Sequence, residues 1–265
     1  MDGMTLLGQG REAEVFALPD GSVLKLLRTA DQSADREIAA LAAVAVRDGL
    51  VPRVLGRTTI GDRPGILLER VAGPDLLTLS QSRPWLMWRA ARVLADVQVR
   101  LHAVTAPPAL PDLRSELAYR ITLAPNLPSD LASWALSTLD GLPDGDRLCH
   151  GDLHLGNLLG DLAGPVVIDW GAAARGDPIA DVANTWLLHR MGQPPPGTPL
   201  FMRVAIPLAR GVVVSGYLKG YRRQHCFDAR HFQRWQIVRV AARFFAGIDE
   251  EIDSLTAWLR ARGPA

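Results

Sequence analysis

A chain of 265 residues with 48% hydrophobic content has material for one large domain or two lobes around a buried core. Its 29 basic and 28 acidic side chains leave a formal net charge of +1, with no polybasic tract for nucleic acid and no acidic tail. No apolar run reaches the ~18 residues of a membrane span, the amino terminus lacks a secretory pattern, and Cys149 and Cys226 are too few and too far apart for a disulfide framework. These features predict a cytoplasmic protein that engages neither membrane nor nucleic acid and has no evident obligate protein partner.

The first elements read as strands. Gly8 and Gly10 precede the run Glu12 to Phe16, and Asp20-Gly21 is a hairpin turn leading into the apolar stretch 22–27. Gly8, Gly10 and Val15 follow the spacing of a glycine-rich phosphate-covering loop, with Ala13 in place of a third glycine. A plain hairpin turn accounts for the two glycines equally well. Lysine occurs only at Lys25 and Lys219 in this arginine-rich chain. Alternation puts Lys25 among Val23 and Leu27, where an unpaired ammonium is costly, so an anionic partner is expected. Glu37 is the candidate, on a helix over 36–44 capped by Asp31 or Ser33. Two further strands are expected at Val54–Ile60 and 65–71, around a Gly61-Asp62 turn. The backbone from Glu69 to Val71 is positioned to hydrogen-bond a purine, and Gly73-Pro74 marks a hinge.

Beyond the hinge the pattern turns helical. Pro84 opens a long helix ending near His102, and Pro111 and Pro128 open shorter ones over 113–123 and 131–139. His102 reads as a structural residue in the last turn of its helix. Asp177 caps a helix over 179–190 and Asp181 sits in its first turn, both read as scaffold. The proline run at 193–197 reads as a connector, and the rest as helices broken near Asp228 and Gly247.

The informative stretch is 148–170. Asp152 is followed by Asn157 at the spacing of a kinase catalytic loop, where the Asp serves as base and the Asn binds Mg²⁺. Asp169 ends the β-branched run Val166-Val167-Ile168 and could reach the same metal. Phosphoryl transfer needs this kit: one group to orient the attacking hydroxyl and oxygen ligands for the metal.

Taken together, LGQGREAEVF, VLKLL, REIAAL, LLERVAG, HGDLHLGNLL, VVIDW and GDPIADVAN resemble the aminoglycoside phosphotransferase-like family of small-molecule kinases, which includes choline kinase-like members. The matching pieces run in order from Leu7 to Asn184, about two thirds of the chain. The resemblance implies an α+β, protein-kinase-like bilobal fold, with a nucleotide-binding lobe over 1–72 and a mostly helical lobe over 73–265. It implies ATP, with GTP not excluded, and Mg²⁺ as cofactors, and a small-molecule hydroxyl as acceptor. Asp152 would be the base, Asn157 and Asp169 the metal ligands, Lys25 the phosphate contact, and His154 a phosphate contact or a loop-holding residue.

Two alternatives are weighed against this reading. A protein kinase is disfavoured because Gly151 replaces the Arg of H-R-D, Ile168-Asp169-Trp170 replaces D-F-G, and seven residues separate Asp169 from Asp177. A non-catalytic nucleotide-binding module is disfavoured because Lys25, Asp152, Asn157 and Asp169 are all present. The acceptor is the open question. An aminoglycoside O-phosphotransferase needs clustered carboxylates, yet residues 201–248 carry nine Arg or Lys and only Asp228 as an acid. The expectation is an acceptor that is neutral, singly charged or anionic, unless Asp130, Asp140, Asp144, Asp146 or the acids of 249–253 line the pocket.

Overall fold

The computed structural model describes residues 3–10, 12–29, 33–45, 49–191 and 200–263. Five strands form one antiparallel sheet: β1 (Thr5–Gln9), β2 (Ala13–Ala17), β3 (Val23–Leu27), β4 (Val54–Ile60) and β5 (Arg63–Leu68). Their order is β1-β2-β3-β5-β4. All five residues of β3 are buried between its neighbours, and Lys25 is in register with Val15 on one side and Ile66 on the other. Helix α1 (Ser33–Val44) buries Glu37, Ala40, Leu41 and Val44.

The rest is helical: α2 (Leu76–Ser82), α3 (Met87–His102), α4 (Leu113–Thr122), α5 (Ser129–Asp140), α6 (Pro178–Met191), α7 (Leu200–Gln224), α8 (Ala229–Arg243) and α9 (Asp249–Arg260). Helix α3 packs along α7, and α8 packs against α4, α5 and α6. Two small ribbons cross this lobe: β6 (Arg147–Cys149) pairs with β9 (Ala174–Gly176), and β7 (Leu158–Leu159) pairs with β8 (Val166–Val167). They fix both ends of the segment from Cys149 to Ala174 to the helical core. Among the described residues no helix is long and apolar enough to cross a membrane.

Three details differ from the sequence reading. β5 starts earlier and ends at Leu68; the Glu69 N–H still bonds the Arg53 carbonyl (2.9 Å), after which the chain leaves the sheet. Helix α2 was not expected, because seven residues carry little periodicity; Asp75 caps it by accepting from the Thr78 N–H (2.8 Å). Pro84 opens a short 3₁₀ turn before α3 rather than α3 itself. His102 ends α3 as a structural residue, as expected, and has side-chain partners the sequence did not show, Tyr221 Oη (2.7 Å) and Asp181 Oδ2 (3.2 Å). Asp31 as an alternative cap and the 193–197 connector lie outside the described residues.

Candidate active site

Two elements of different lobes meet at Lys25. Its Nζ lies 2.6 Å from Glu37 Oε2 on α1 and 2.7 Å from Asp169 Oδ1 beyond β8. Burial opposes the ammonium charge, but the two carboxylates outweigh it and hold the Lys25 pKa well above its ordinary value. Asp169 itself occupies the left-handed region (φ 65°), uncommon for a non-glycine residue and most tolerable for Asp or Asn. That conformation turns the chain out of β8. Burial would raise the Asp169 pKa, and the charge and hydrogen bond of Lys25 lower it below the usual range.

The loop after β6 is held from beneath. Asp181, fully buried in the first turn of α6, accepts from the His150 N–H (3.0 Å), the Gly151 N–H (2.9 Å) and Gln98 Nε2 (3.0 Å), and lies 3.2 Å from His102 Nε2. Burial opposes ionisation of Asp181. The hydrogen bond and charge of His102, with Arg239 and His150, bring its carboxyl below the ordinary carboxylate range. Asn184, one turn on, donates to the Gly151 carbonyl (2.7 Å). Gly151 has φ 79°, and a Cβ there would stand 2.1 Å from the Ala172 carbonyl oxygen. The residue that departs from H-R-D is therefore demanded by the backbone.

Within this loop the Asp152 N–H donates to His150 Nδ1 (3.2 Å), which places the His150 proton on Nε2, facing the Ile168 carbonyl (3.1 Å). Asn157 Nδ2 donates to the Asp152 carbonyl (2.8 Å), leaving Asn157 Oδ1 without a hydrogen bond among the described residues. His154 Nδ1 accepts from the Gly156 N–H (3.0 Å) and caps the turn that carries Asn157. Burial pushes the Asp152 carboxyl up to about 6, with Asp169 acting in the same direction and His150 and Arg243 opposing it.

A cavity of about 1120 Å³ opens between the lobes. Its wall includes Gly8, Gly10, Val15, Lys25, Glu37, Glu69, Val71, Asp152 and Asp169. Asn157 and His154 lie behind that wall, against Asp152. Neither Gly8 nor Gly10 has a positive φ, and a Cβ at Gly8 would meet nothing within 4 Å, so the fold itself does not require glycine there. The Glu69 side chain pairs with Arg53 (3.0 Å) and its N–H is used by the sheet, whereas the N–H and C=O of Val71 have no partner among the described residues. Asp130, Asp144 and Asp146 pair instead with Arg260, Arg114 and Arg147 away from the cavity.

Residues 3–205 match the phosphotransferase enzyme family (APH). The chain belongs to this family. As a member it is a small-molecule phosphotransferase acting on hydroxyl groups. Solved structures share the protein-kinase-like fold. The aminoglycoside phosphotransferase APH(4)-Ia, in a ternary complex with ADP and hygromycin B, is 16% identical with a TM-score of 0.68, over 98% of this chain and 92% of that one. The amicoumacin kinase hAmiN, in complex with AMP-PNP, Ca²⁺ and its ligand, is 16% identical with a TM-score of 0.66, over 98% and 87%. The aminoglycoside phosphotransferase APH(3'')-Id from Streptomyces rimosus is 22% identical with a TM-score of 0.57, over 91% and 92%. No curated protein matches the sequence significantly.

Sequence reasoning read Asp181 as scaffold, which its bonds to the His150 and Gly151 N–H groups bear out, but named only the helix dipole as its partner and did not single out Asn184. An acid among Ile179, Val182 and Ala183, all buried, was the available signal that a partner returns to that helix face.

Proposed function

We propose that this phosphotransferase moves the γ-phosphoryl group of ATP to a hydroxyl of a small molecule, with Asp152 as the base and Asn157 and Asp169 as Mg²⁺ ligands. The single observation that supports the reading most is the convergence of Lys25, Asp152 and Asp169 on one cavity wall, with Asn157 held directly behind Asp152.

The donor set suits a hard cation. The amide nitrogen of Asn157 is committed to Asp152, so its oxygen is the free end, and Asp169 uses one carboxylate oxygen on Lys25 and keeps the other. When bound, Mg²⁺ would neutralise charge on the phosphates and orient them. Lys25, held charged between two carboxylates, is positioned to pair with a phosphate oxygen. Asp152 accepts the acceptor's hydroxyl proton as that oxygen bonds to phosphorus, and ADP leaves with the bridging oxygen. The open space at Gly8 supports close approach of a ligand to β1, and the unpaired Val71 backbone suits a purine edge. We place the division between the nucleotide lobe and the helical lobe at Ala72 and Gly73.

The test is a Mg-ATP and Mg-GTP transfer assay across hydroxylated acceptors, including the aminoglycosides bound by the solved neighbours. Asp152→Asn should cut kcat by roughly 10²-fold or more with nucleotide Kd nearly unchanged. An Asp152→Asn enzyme with full turnover would remove Asp152 from the mechanism.

A further inference from the structure

The helical lobe brings its own set of residues to the cavity wall. Its apolar part, the floor, is Leu117 from α4, Leu187 and Leu188 from α6, and Phe245 after α8. Three guanidinium groups complete it: Arg120 from α4 and Arg239 and Arg243 from α8. The carboxylates on the wall are Asp152; Glu37 and Asp169, both paired to Lys25; Glu69, paired to Arg53; Asp75, which caps α2; and Glu12, whose Oε2 reaches toward Gly171 beside Asp169.

The three arginines are not equally satisfied. Arg243 makes a two-pronged pair with Glu251 (2.7 and 3.0 Å). Arg239 is 4% exposed and donates Nε to the Ala180 carbonyl (2.9 Å), while its Nη2 is buried with no hydrogen-bond partner. Arg120, half-buried, has neither an ion pair nor a side-chain hydrogen bond among the described residues. The charge of Asp181 offsets that of Arg239, but its buried Nη2 still lacks an acceptor, which is costly, and Arg120 lies near enough to add a second positive charge; an oxyanion is the group that satisfies both.

Building on the phosphotransfer reading, we propose that the acceptor carries an oxyanion group, a carboxylate or a phosphate, on an apolar body. Arg120 and Arg239 bind the oxyanion and the leucine and phenylalanine floor takes the body. A polycation meets positive charge at this wall and is rejected.

The test uses matched probes in the presence of saturating Mg-AMP-PNP: 1-naphthoate, 1-naphthyl phosphate, methyl 1-naphthoate and 1-naphthylmethylammonium, followed by calorimetry. At least one of the two anions should bind ~10-fold or more tighter than the ester and the ammonium, the scale of one charge-assisted contact, and the better anion decides between carboxylate and phosphate. Arg120→Gln should erase that preference and Arg120→Lys should keep part of it, which separates lost charge from lost folding. Equal binding of all four probes, preference for the ammonium, no binding by any, or a preference untouched by Arg120→Gln overturns the proposal. Binding of Mg-AMP-PNP itself is read first in the same cell. Its failure would count against the phosphotransfer reading, whereas normal nucleotide binding with the wrong probe ranking counts against the oxyanion site alone.

Discussion

Lys25 Nζ and Asp169 Oδ1 stand 2.7 Å apart, one from the middle of the sheet and the other from the helical lobe. Because Glu37 holds the same ammonium at 2.6 Å, the lysine is fixed at a point where both lobes meet. Each carboxylate has a different task. Glu37, 1% exposed, is a buried charge that needs Lys25 for its own sake, while Asp169 keeps a second oxygen for the cavity.

The first prediction follows from that burial. Lys25→Ala leaves Glu37 without its cation and should destabilise the protein by about 3 kcal/mol, the usual cost of breaking a buried pair. Glu37→Ala should cost less, because Lys25 retains Asp169. In the double variant the two losses should fall short of additive by about 1 kcal/mol or more. Urea unfolding of the four proteins measures this, and strict additivity would show that the two groups do not interact.

Glycines separate folding from ligand binding. Gly151→Ala forces a Cβ to 2.1 Å from the Ala172 carbonyl at φ 79°. It should lower stability by ~2 kcal/mol or more and abolish transfer, since Asp152 is the next residue. Gly8→Ala adds a methyl that meets no protein atom within 4 Å. It should leave the melting temperature unchanged and weaken nucleotide binding. Loss of folding in Gly8→Ala, or normal activity in Gly151→Ala, would contradict this assignment.

Asp181 gathers two backbone N–H groups of the loop and two side chains of α3 on one buried carboxylate. Asp181→Asn replaces one acceptor oxygen by a donor facing other donors. It should destabilise the fold by ~2 kcal/mol and lower kcat by ~10-fold or more while nucleotide Kd stays within about twofold, because the nucleotide half of the wall is untouched. A variant that weakens nucleotide binding as much as turnover would place the effect in general loosening of the lobe.

How much of this was legible from sequence divides along one line. The placement of Lys25 against Glu37 and of Asp152 and Asp169 on one cavity was readable, because an ammonium on an apolar strand needs an anion and the two acids follow a fixed spacing. Strands β1 to β4 and the breaks at Asp228 and Gly247 were readable from turns and caps. Arg239 was counted only as one of the nine cations of 201–248, and Arg120 was not singled out, because the two come from helices more than a hundred residues apart, with no spacing between them to read. Asp181 was readable as scaffold, but its partners in the loop were hidden by a sufficient local explanation, its place in the first turn of α6. His154 was readable as a phosphate contact or a loop-holding residue; the bond from the Gly156 N–H shows it holding its own turn. β5 was overextended because nothing local breaks the chain before Gly73-Pro74, although its hydrogen bonds to the neighbouring strand end at the Glu69 N–H.

The last prediction concerns pH and joins stability to activity at Asp152. Its carboxyl is pushed up to about 6 in the folded protein, chiefly by burial, from an ordinary value of 3.8. As the proposed base it must be ionised, so kcat/KM should fall about tenfold per pH unit below 6. Stability runs the other way. Between 3.8 and 6 the folded state holds this proton more tightly than the unfolded state, so the group's contribution to stability falls as pH rises through that window. Ionised Asp152 is thus a destabilising group at neutral pH. Asp152→Asn should melt at a higher temperature than the wild type at pH 7.5, with the gap closing as pH falls below 6, while its residual transfer activity shows no rise through pH 6. Thermal melts and rate profiles of the two proteins across pH 4.5 to 8 check both halves. A wild type at least as stable as Asp152→Asn at pH 7.5 would show that the raised pKa is not a property of the folded loop.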